Sequence, residues 1–257
     1  MKIFIGNDAK ETGIAAGNAA ADMIKDAIKK DGSANILLAT GASQFEMLQQ
    51  LVSRTDIEWN KVSVFHLDEY IGLPAWHKAS FRKYLKERFL DHVPHLKAAY
   101  LINGEEDPET ERRRISDIIS KHPISVAMIG IGENAHLAFN DPPAQFEANE
   151  PYIIIDSLDE ECRQQQVNEG WFNSVAEVPA TAISISIQQI MHSRHIICTV
   201  PDKRKALAVK NSLEKPISNM YPASILRNHP DCHLFLDHLS ASLLSQSPNS
   251  NQNTPVS

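Results

Sequence analysis

Three short segments carry side chains whose types and spacing could do chemistry. The first is Leu67-Asp68-Glu69-Tyr70-Ile71-Gly72-Leu73-Pro74, with two adjacent carboxylates running into a Gly/Pro loop. A carboxylate taken out of water keeps its proton to higher pH and becomes a useful general base. Neighbouring residues of an extended chain point opposite ways, so at most one of Asp68 and Glu69 should face a ligand. The alternative is a turn carboxylate capping loop amides. The second segment runs from Gly130-Ile131-Gly132-Glu133-Asn134-Ala135-His136 to Asp141-Pro142-Pro143. Two glycines allow a tight turn and close ligand approach. A histidine followed by Asp141 offers a proton-transfer pair working near neutrality. A lone histidine is as readily structural.

The third segment, Thr40-Gly41-Ala42-Ser43, combines small residues with hydroxyl donors. It could cradle a phosphate against a helix N-terminus, or be a plain turn with Ser43 as N-cap. It lacks the Lys of a P-loop and is not G-x-G-x-x-G. Lys203-Arg204-Lys205 opens a late helix, where cations oppose the helix dipole. An anion there would compensate; a solvated helix start is the other reading.

These segments need elements to hold them. Short β-branched runs alternate with 3.6-period stretches along the chain. Strands are predicted at Lys2–Ile5, Asn35–Leu38, Val62–Leu67, Ser125–Ile129, Ala182–Ile185, His195–Val200 and His233–Leu236. Helices are predicted at Thr12–Lys30, from the Thr40 loop through Leu51, at Ser80–Leu90, Pro108–Ser120, Ile187–Met191, Lys203–Leu213 and Pro222–Arg227. This alternation implies an α/β fold: a largely parallel sheet with helices on both faces, a Rossmann-like three-layer sandwich. In such sheets ligands bind beyond the carboxyl ends of the strands, where the three segments fall. One domain is expected over residues 1–244, with a flexible polar tail at 245–257 too poor in apolar residues to offset its ordering entropy.

With 257 residues, 25 Lys plus Arg against 32 Asp plus Glu, and a net charge of −7, the chain is not shaped for nucleic acid. No run resembles a membrane span or a secretory leader, so a cytoplasmic protein is expected. Cys162, Cys198 and Cys232 are far apart and read as small buried hydrophobes in a reducing compartment. No metal is expected, because the 11 histidines are scattered and no C-x-x-C pair occurs. No nucleotide fingerprint is present, and no cofactor is expected.

Together the segments resemble the glucosamine-6-phosphate deaminase (isomerase) family, related to 6-phosphogluconolactonases. The resemblance runs roughly from Ile3 to Leu244. It rests on Thr40-Gly41-Ala42-Ser43, on Leu67 through Pro74, on His77-Lys78-Ala79-Ser80-Phe81 and on Gly130 through Pro142. It implies a cofactor-free reaction turning glucosamine 6-phosphate and water into fructose 6-phosphate and ammonium. By resemblance Asp68 moves a proton between C2 and C1, and His136 opens the pyranose ring with Asn134 and Asp141 around it. Thr40, Gly41, Ala42, Ser43 and Lys205 would hold the phosphate, with Glu69 and Arg163 as weaker substrate contacts. The partner is then a small phosphosugar. A homo-oligomer fits too, since the family contains monomers and hexamers.

The chain departs from the family pattern around the sugar ring. Asn134 stands where many members carry Asp, Asp141 where they carry Glu, and Ala135 and Ala42 where they carry Gly. Galactosamine 6-phosphate deamination, lactone hydrolysis and non-catalytic phosphosugar sensing are the competing expectations.

Overall fold

The structure, a computed structural model, describes residues 1–93 and 95–245. The predicted flexible tail beyond 245 lies outside the described residues. In chain order the elements are β1 (Lys2–Gly6), α1 (Ala9–Asp31), β2 (Ala34–Leu38), α2 (Phe45–Val52), β3 (Val62–His66), β4 (Asp68–Tyr70), α3 (Phe81–Arg88), β5 (Ala98–Tyr100), α4 (Pro108–Ile119) and β6 (Val126–Ile129). They continue with β7 (Tyr152–Ile155), α5 (Glu160–Asn168), β8 (Ala182–Ile185), α6 (Ile187–Met191), β9 (His195–Val200), α7 (Ala206–Glu214) and β10 (Cys232–Asp237).

Seven strands form a parallel sheet in the order β1-β10-β9-β6-β2-β3-β5. Its central strands are buried on both faces, so their sequences are continuously apolar rather than alternating. Alternate side chains feed two cores. Ile36, Leu38, Val64 and Met128 pack under α1 and α2. Leu37, Phe65, Ala127 and Ile129 face the other way, with Ile115 of α4 and Val209 of α7. That is the expected three-layer arrangement.

Local signals set the helix ends. Asp8 caps α1 by accepting from the Glu11 amide at 2.8 Å, and Gly32 ends it at φ 78°. Asp107 caps α4 with Pro108 in the first turn. The predicted late helix differs at its start: Lys203–Lys205 is a 3-10 turn and the α-helix begins at Ala206. Pro222–Asn228 is likewise 3-10.

The larger difference is a second sheet of three antiparallel strands, β4-β8-β7. Ala182–Ile185 is a strand as expected but belongs here. Only residues 186–194 separate it from β9, fewer than the dozen or so a parallel crossover needs. The small sheet caps the carboxyl end of the large one. Leu67 bridges the two, its amide donating to Leu38 O and its carbonyl accepting from Ile185 N.

The order also locates a crevice. From β2 the chain builds outward through β3 to β5, then returns beside β2 as β6 and builds the other way. The carboxyl ends of β2 and β6 therefore flank a topological switch point, where such sheets bind ligands. No helix among the described residues is long and apolar enough to cross a membrane.

Candidate active site

A cleft opens at that switch point. Thr40, Gly41 and Ser43 enter it from the loop after β2, Asp68 from the start of β4, and Gly130, Gly132 and His136 from the loop after β6. Lys205 arrives after β9, and Leu67, Phe81 and Phe139 supply apolar wall. Its mixed polar and apolar lining suits a small polar ligand.

Asp68 is 6% exposed and faces this cleft. Among the described residues no donor hydrogen-bonds its carboxylate. Burial, with the charge of Glu69 adding to it, pushes its pKa well above the usual aspartate range. Glu69 points the opposite way, as strand alternation requires. Its Oε1 accepts from the Tyr70 and Phe81 amides at 3.0 and 3.2 Å. Its Oε2 accepts from Ser80 Oγ at 2.8 Å, the Arg82 amide at 3.0 Å and Arg82 Nε at 3.1 Å. Burial raises its pKa, while Arg82 and Ser80 work against that rise. Glu69 is thus not a substrate contact. It clamps the N-terminus of α3 to β4 and holds Asp68 in place from behind.

His136 sits on a backbone turn that glycine and two strained alanines create. A Cβ on Gly132 would lie 2.1 Å from the His136 ring, so only glycine lets the imidazole settle there. Ala135 and Ala138 adopt φ of 69° and 52°, the left-handed region that costs a non-glycine residue about 1 kcal/mol. Ala135 therefore holds a conformation that glycine would adopt more easily. His136 Nδ1 lies 2.7 Å from Asn134 Oδ1 and 3.0 Å from Asp141 Oδ1. Two acceptors at one nitrogen require it to carry the proton, which leaves Nε2 as the basic atom. Nε2 has no hydrogen-bond partner among the described residues. Asn134 Nδ2 donates to Asp141 Oδ1 at 3.1 Å, and the Asp159 amide donates to Asp141 Oδ2 at 3.2 Å. Burial opposes ionisation of Asp141, but His136, Asn134 and that amide outweigh it and hold its pKa below the usual range. Asn134 and Asp141 lie behind the histidine rather than in the cleft and orient it.

Cys162 adds a sulfur to this group: ligand atoms of His136, Asp141 and Cys162 lie within 4.8 Å of one another. The arrangement satisfies itself without an ion. Nδ1 is engaged by two oxygens, and burial raises the Cys162 thiol pKa well above normal, opposing the thiolate a metal needs. Cys198 and Cys232 are also buried.

The segment expected to hold a phosphate, Thr40–Ser43, also lines the cleft through Thr40, Gly41 and Ser43. Gly41 takes φ 115°, and Ala42–Gln44 form a 3-10 turn. Gln44 Nε2 donates to Ser43 Oγ at 3.0 Å, freeing the serine hydrogen for another acceptor. Ala42 lies on the outer side, lining an adjoining hollow. Lys205 is 4% exposed, and its ammonium has no hydrogen-bond or carboxylate partner among the described residues. Burial lowers its pKa. The other two cations of the triplet do not join it. Lys203 is exposed, and Arg204 pairs with Asp202 at 2.9 Å and Glu133 at 3.5 Å.

Arg163 is also elsewhere. Its guanidinium donates to Val175 O at 2.6 Å and Val178 O at 3.1 Å, pinning a neighbouring turn. The helix that carries it, α5, instead brings Gln165, Gln166 and then Glu169 to the cleft, none of them expected. Their signal was hidden because the inward positions of α5 are Cys162, Gln165 and Gln166, a helical spacing of largely polar side chains.

The chain is similar to known proteins over most of its length. The family model described as glucosamine-6-phosphate isomerases/6-phosphogluconolactonase matches residues 7–234. A glucosamine-6-phosphate deaminase of Lactobacillus delbrueckii subsp. bulgaricus is 31% identical over 95% of this chain and 100% of its own length. One from Listeria monocytogenes serotype 4a is 34% identical over 91% of this chain and 97% of its own. A solved structure of a monomeric glucosamine-6-phosphate deaminase superimposes with a TM-score of 0.84, at 30% identity over 95% of this chain and 100% of that one. A 6-phosphogluconolactonase structure from Shewanella baltica, 16% identical with a TM-score of 0.74 over 92% of this chain and 96% of that one, shares the fold.

Proposed function

The chain belongs to the glucosamine-6-phosphate isomerase/6-phosphogluconolactonase family, and we propose that it is an amino-sugar-phosphate deaminase acting on glucosamine 6-phosphate. The observation that carries this reading is the shared cleft. A buried carboxylate, an oriented histidine and a buried ammonium line it together, the carboxylate and the ammonium without a partner among the described residues. The ammonium and the Thr40 and Ser43 hydroxyls anchor the phosphate, which fixes the reacting carbons at Asp68.

The steps follow from the residue types. Nε2 of His136 takes the proton of the anomeric hydroxyl and returns one to the ring oxygen, opening the pyranose. Asp68 removes the proton from C2, giving an enolamine, and returns a proton to C1. The resulting imine at C2 adds water and releases ammonia, leaving fructose 6-phosphate. No electrons are gained or lost overall, and no cofactor is called on. Asn134 orients His136 but carries no charge, so Asp141 alone stabilises an imidazolium.

The direct test is ammonium release with matching fructose 6-phosphate formation from glucosamine 6-phosphate. Galactosamine 6-phosphate and 6-phosphogluconolactone run beside it. Release from the galacto sugar alone changes the substrate and keeps the mechanism. Lactone hydrolysis without ammonium release overturns the assignment. The lactonase reading has no use for Asp68, since that reaction moves no proton at C2. Lys205→Met is expected to raise KM for the phosphosugar about 10- to 100-fold with a smaller change in kcat, the loss of one charge-assisted contact of roughly 1.5–3 kcal/mol. An unchanged KM would place the phosphate away from Lys205. The similar solved structure is that of a monomeric deaminase, which supports a monomer as the working unit. A cytoplasmic location belongs to the same proposal.

A further inference from the structure

One group in the cleft runs against simple phosphate binding. Glu169, the residue that closes α5, hangs over the Thr40–Ser43 turn. Its Oε2 is the nearest atom to where a Cβ on Gly41 would sit, at 4.0 Å, in otherwise open space. Its carboxylate is not held by a cation: no Lys or Arg lies within 4.0 Å among the described residues. Two neutral donors fix it, Gln165 Nε2 on Oε1 at 2.8 Å and Trp171 Nε1 on Oε2 at 3.2 Å. The seat thus contains one buried ammonium and one anchored carboxylate. A phosphate dianion placed there would bring two more negative charges against Glu169, more than the single ammonium offsets. A monoanion removes one of those charges and supplies an O–H for the carboxylate to accept.

We propose that Glu169 reads the protonation of the phosphate: the cleft binds the monoanion, with one oxygen accepting from Lys205 and the P–OH donating to Glu169. This rests on the phosphosugar reading above and adds the ionic form of the substrate and the residue that selects it. Among the described residues the other charged or titratable groups near Glu169 are Lys205 and Arg204 after β9, Tyr84 on α3, Tyr70 on β4 and Lys78, whose Nζ donates to the adjacent Gly170 O at 3.1 Å, while Glu133 after β6 faces Lys205 and Arg204. Arg204 is already engaged by Asp202 and Glu133. Burial raises the pKa of both tyrosines, so they stay neutral across the working range.

The experiment compares inorganic phosphate with sulfate, an anion of similar size that has no proton to give at these pH values. Thermal unfolding is followed from about pH 5.5 to 8 for the wild type and Glu169→Gln. Each shift is read as the excess over Lys205→Met, because both anions also stabilise proteins by exclusion. The wild type is expected to gain from phosphate at low pH, to lose that gain as phosphate sheds its second proton, and to gain nothing from sulfate. Glu169→Gln is expected to respond to both anions with little pH dependence. Equal response of the wild type to both anions overturns the proposal, as does an unchanged preference in Glu169→Gln or no excess shift in either protein. In turnover, the wild-type KM for glucosamine 6-phosphate should rise about tenfold per pH unit above the second phosphate ionisation near 6. The Glu169→Gln KM should stay nearly flat. The unfolding readout needs no turnover. If no ammonium is released but the anion contrast holds, only the reaction assignment fails.

Discussion

Asp68→Asn is expected to lower kcat for ammonium release by roughly 10²- to 10⁴-fold while leaving the cleft able to bind the phosphate. The amide would keep the shape of the side chain and lose its ability to take a proton from C2. The environment of Asp68 also sets the pH behaviour. Because burial raises the carboxyl pKa, wild-type activity should climb with pH through a value above the ordinary aspartate range, and that limb should vanish in the variant's residual rate. The same shift acts on stability. The folded chain binds this proton more tightly than the unfolded chain does. The stabilisation is therefore complete below the unfolded pKa of an aspartate and is lost as pH rises through the raised folded value. Asp68→Asn should accordingly be more stable than the wild type at pH 8 and no more stable at pH 4. Turnover at the wild-type rate would remove Asp68 from the mechanism. Equal stability at pH 8 would show that the carboxylate is not penalised by burial.

The second large effect concerns stability. Glu69→Ala is expected to destabilise the fold by about 3–5 kcal/mol, the usual result of removing one member of a buried ion pair. Arg82, only 12% exposed at its side chain, would lose its partner at Nε, and the Ser80, Phe81 and Arg82 donors would lose their acceptor. For a chain of this size that is roughly 10 °C or more in Tm. Urea unfolding of the wild type, Glu69→Ala and Glu69→Gln measures it. The glutamine keeps an acceptor oxygen and should lose less. Activity in Glu69→Ala should fall as well, because Asp68 is the next residue on β4. A wild-type midpoint for Glu69→Ala would mean that the five hydrogen bonds at this carboxylate contribute nothing net.

The contrast between these neighbours shows how far the sequence could be read. Alternation along a strand required Asp68 and Glu69 to diverge, but only the fold decides which one meets the ligand. The Gly130–His136 turn was legible because glycines after a buried strand have few other uses. Its supporting geometry was legible only in part: that Ala135 would accept a positive φ follows from contacts made at a distance, such as the Ala223 amide donating to its carbonyl at 2.9 Å. The helix α5 was not visible. Its buried positions are Cys162, Gln165 and Gln166, so apolar periodicity gave no sign of it, and with it went Gln165, Gln166 and Glu169 of the cleft. Arg163, one of the weaker substrate contacts implied by the resemblance, has its guanidinium on the carbonyls of a later turn. Of the Lys203–Lys205 triplet, charge alone could not tell the buried Lys205 from the paired Arg204. The small sheet escaped because only one of its three strands was read: Asp68–Tyr70 and Tyr152–Ile155 were not predicted, and the partners of Ala182–Ile185 were not readable. Ala182–Ile185 looks like any core strand until the short link to β9 forbids a parallel crossover.

The central claim is that one buried carboxylate, on one face of the substrate, moves a proton between C2 and C1. It is tested most directly in the reverse direction, with fructose 6-phosphate and ammonium in heavy water and the C1 hydrogens followed by NMR. The wild type should exchange one of the two C1 hydrogens for deuterium and spare the other, because Asp68 reaches C1 from a single side. Asp68→Asn should exchange neither on the same timescale. Exchange of both hydrogens at equal rates, no exchange by the wild type, or undiminished exchange by Asp68→Asn would contradict the account.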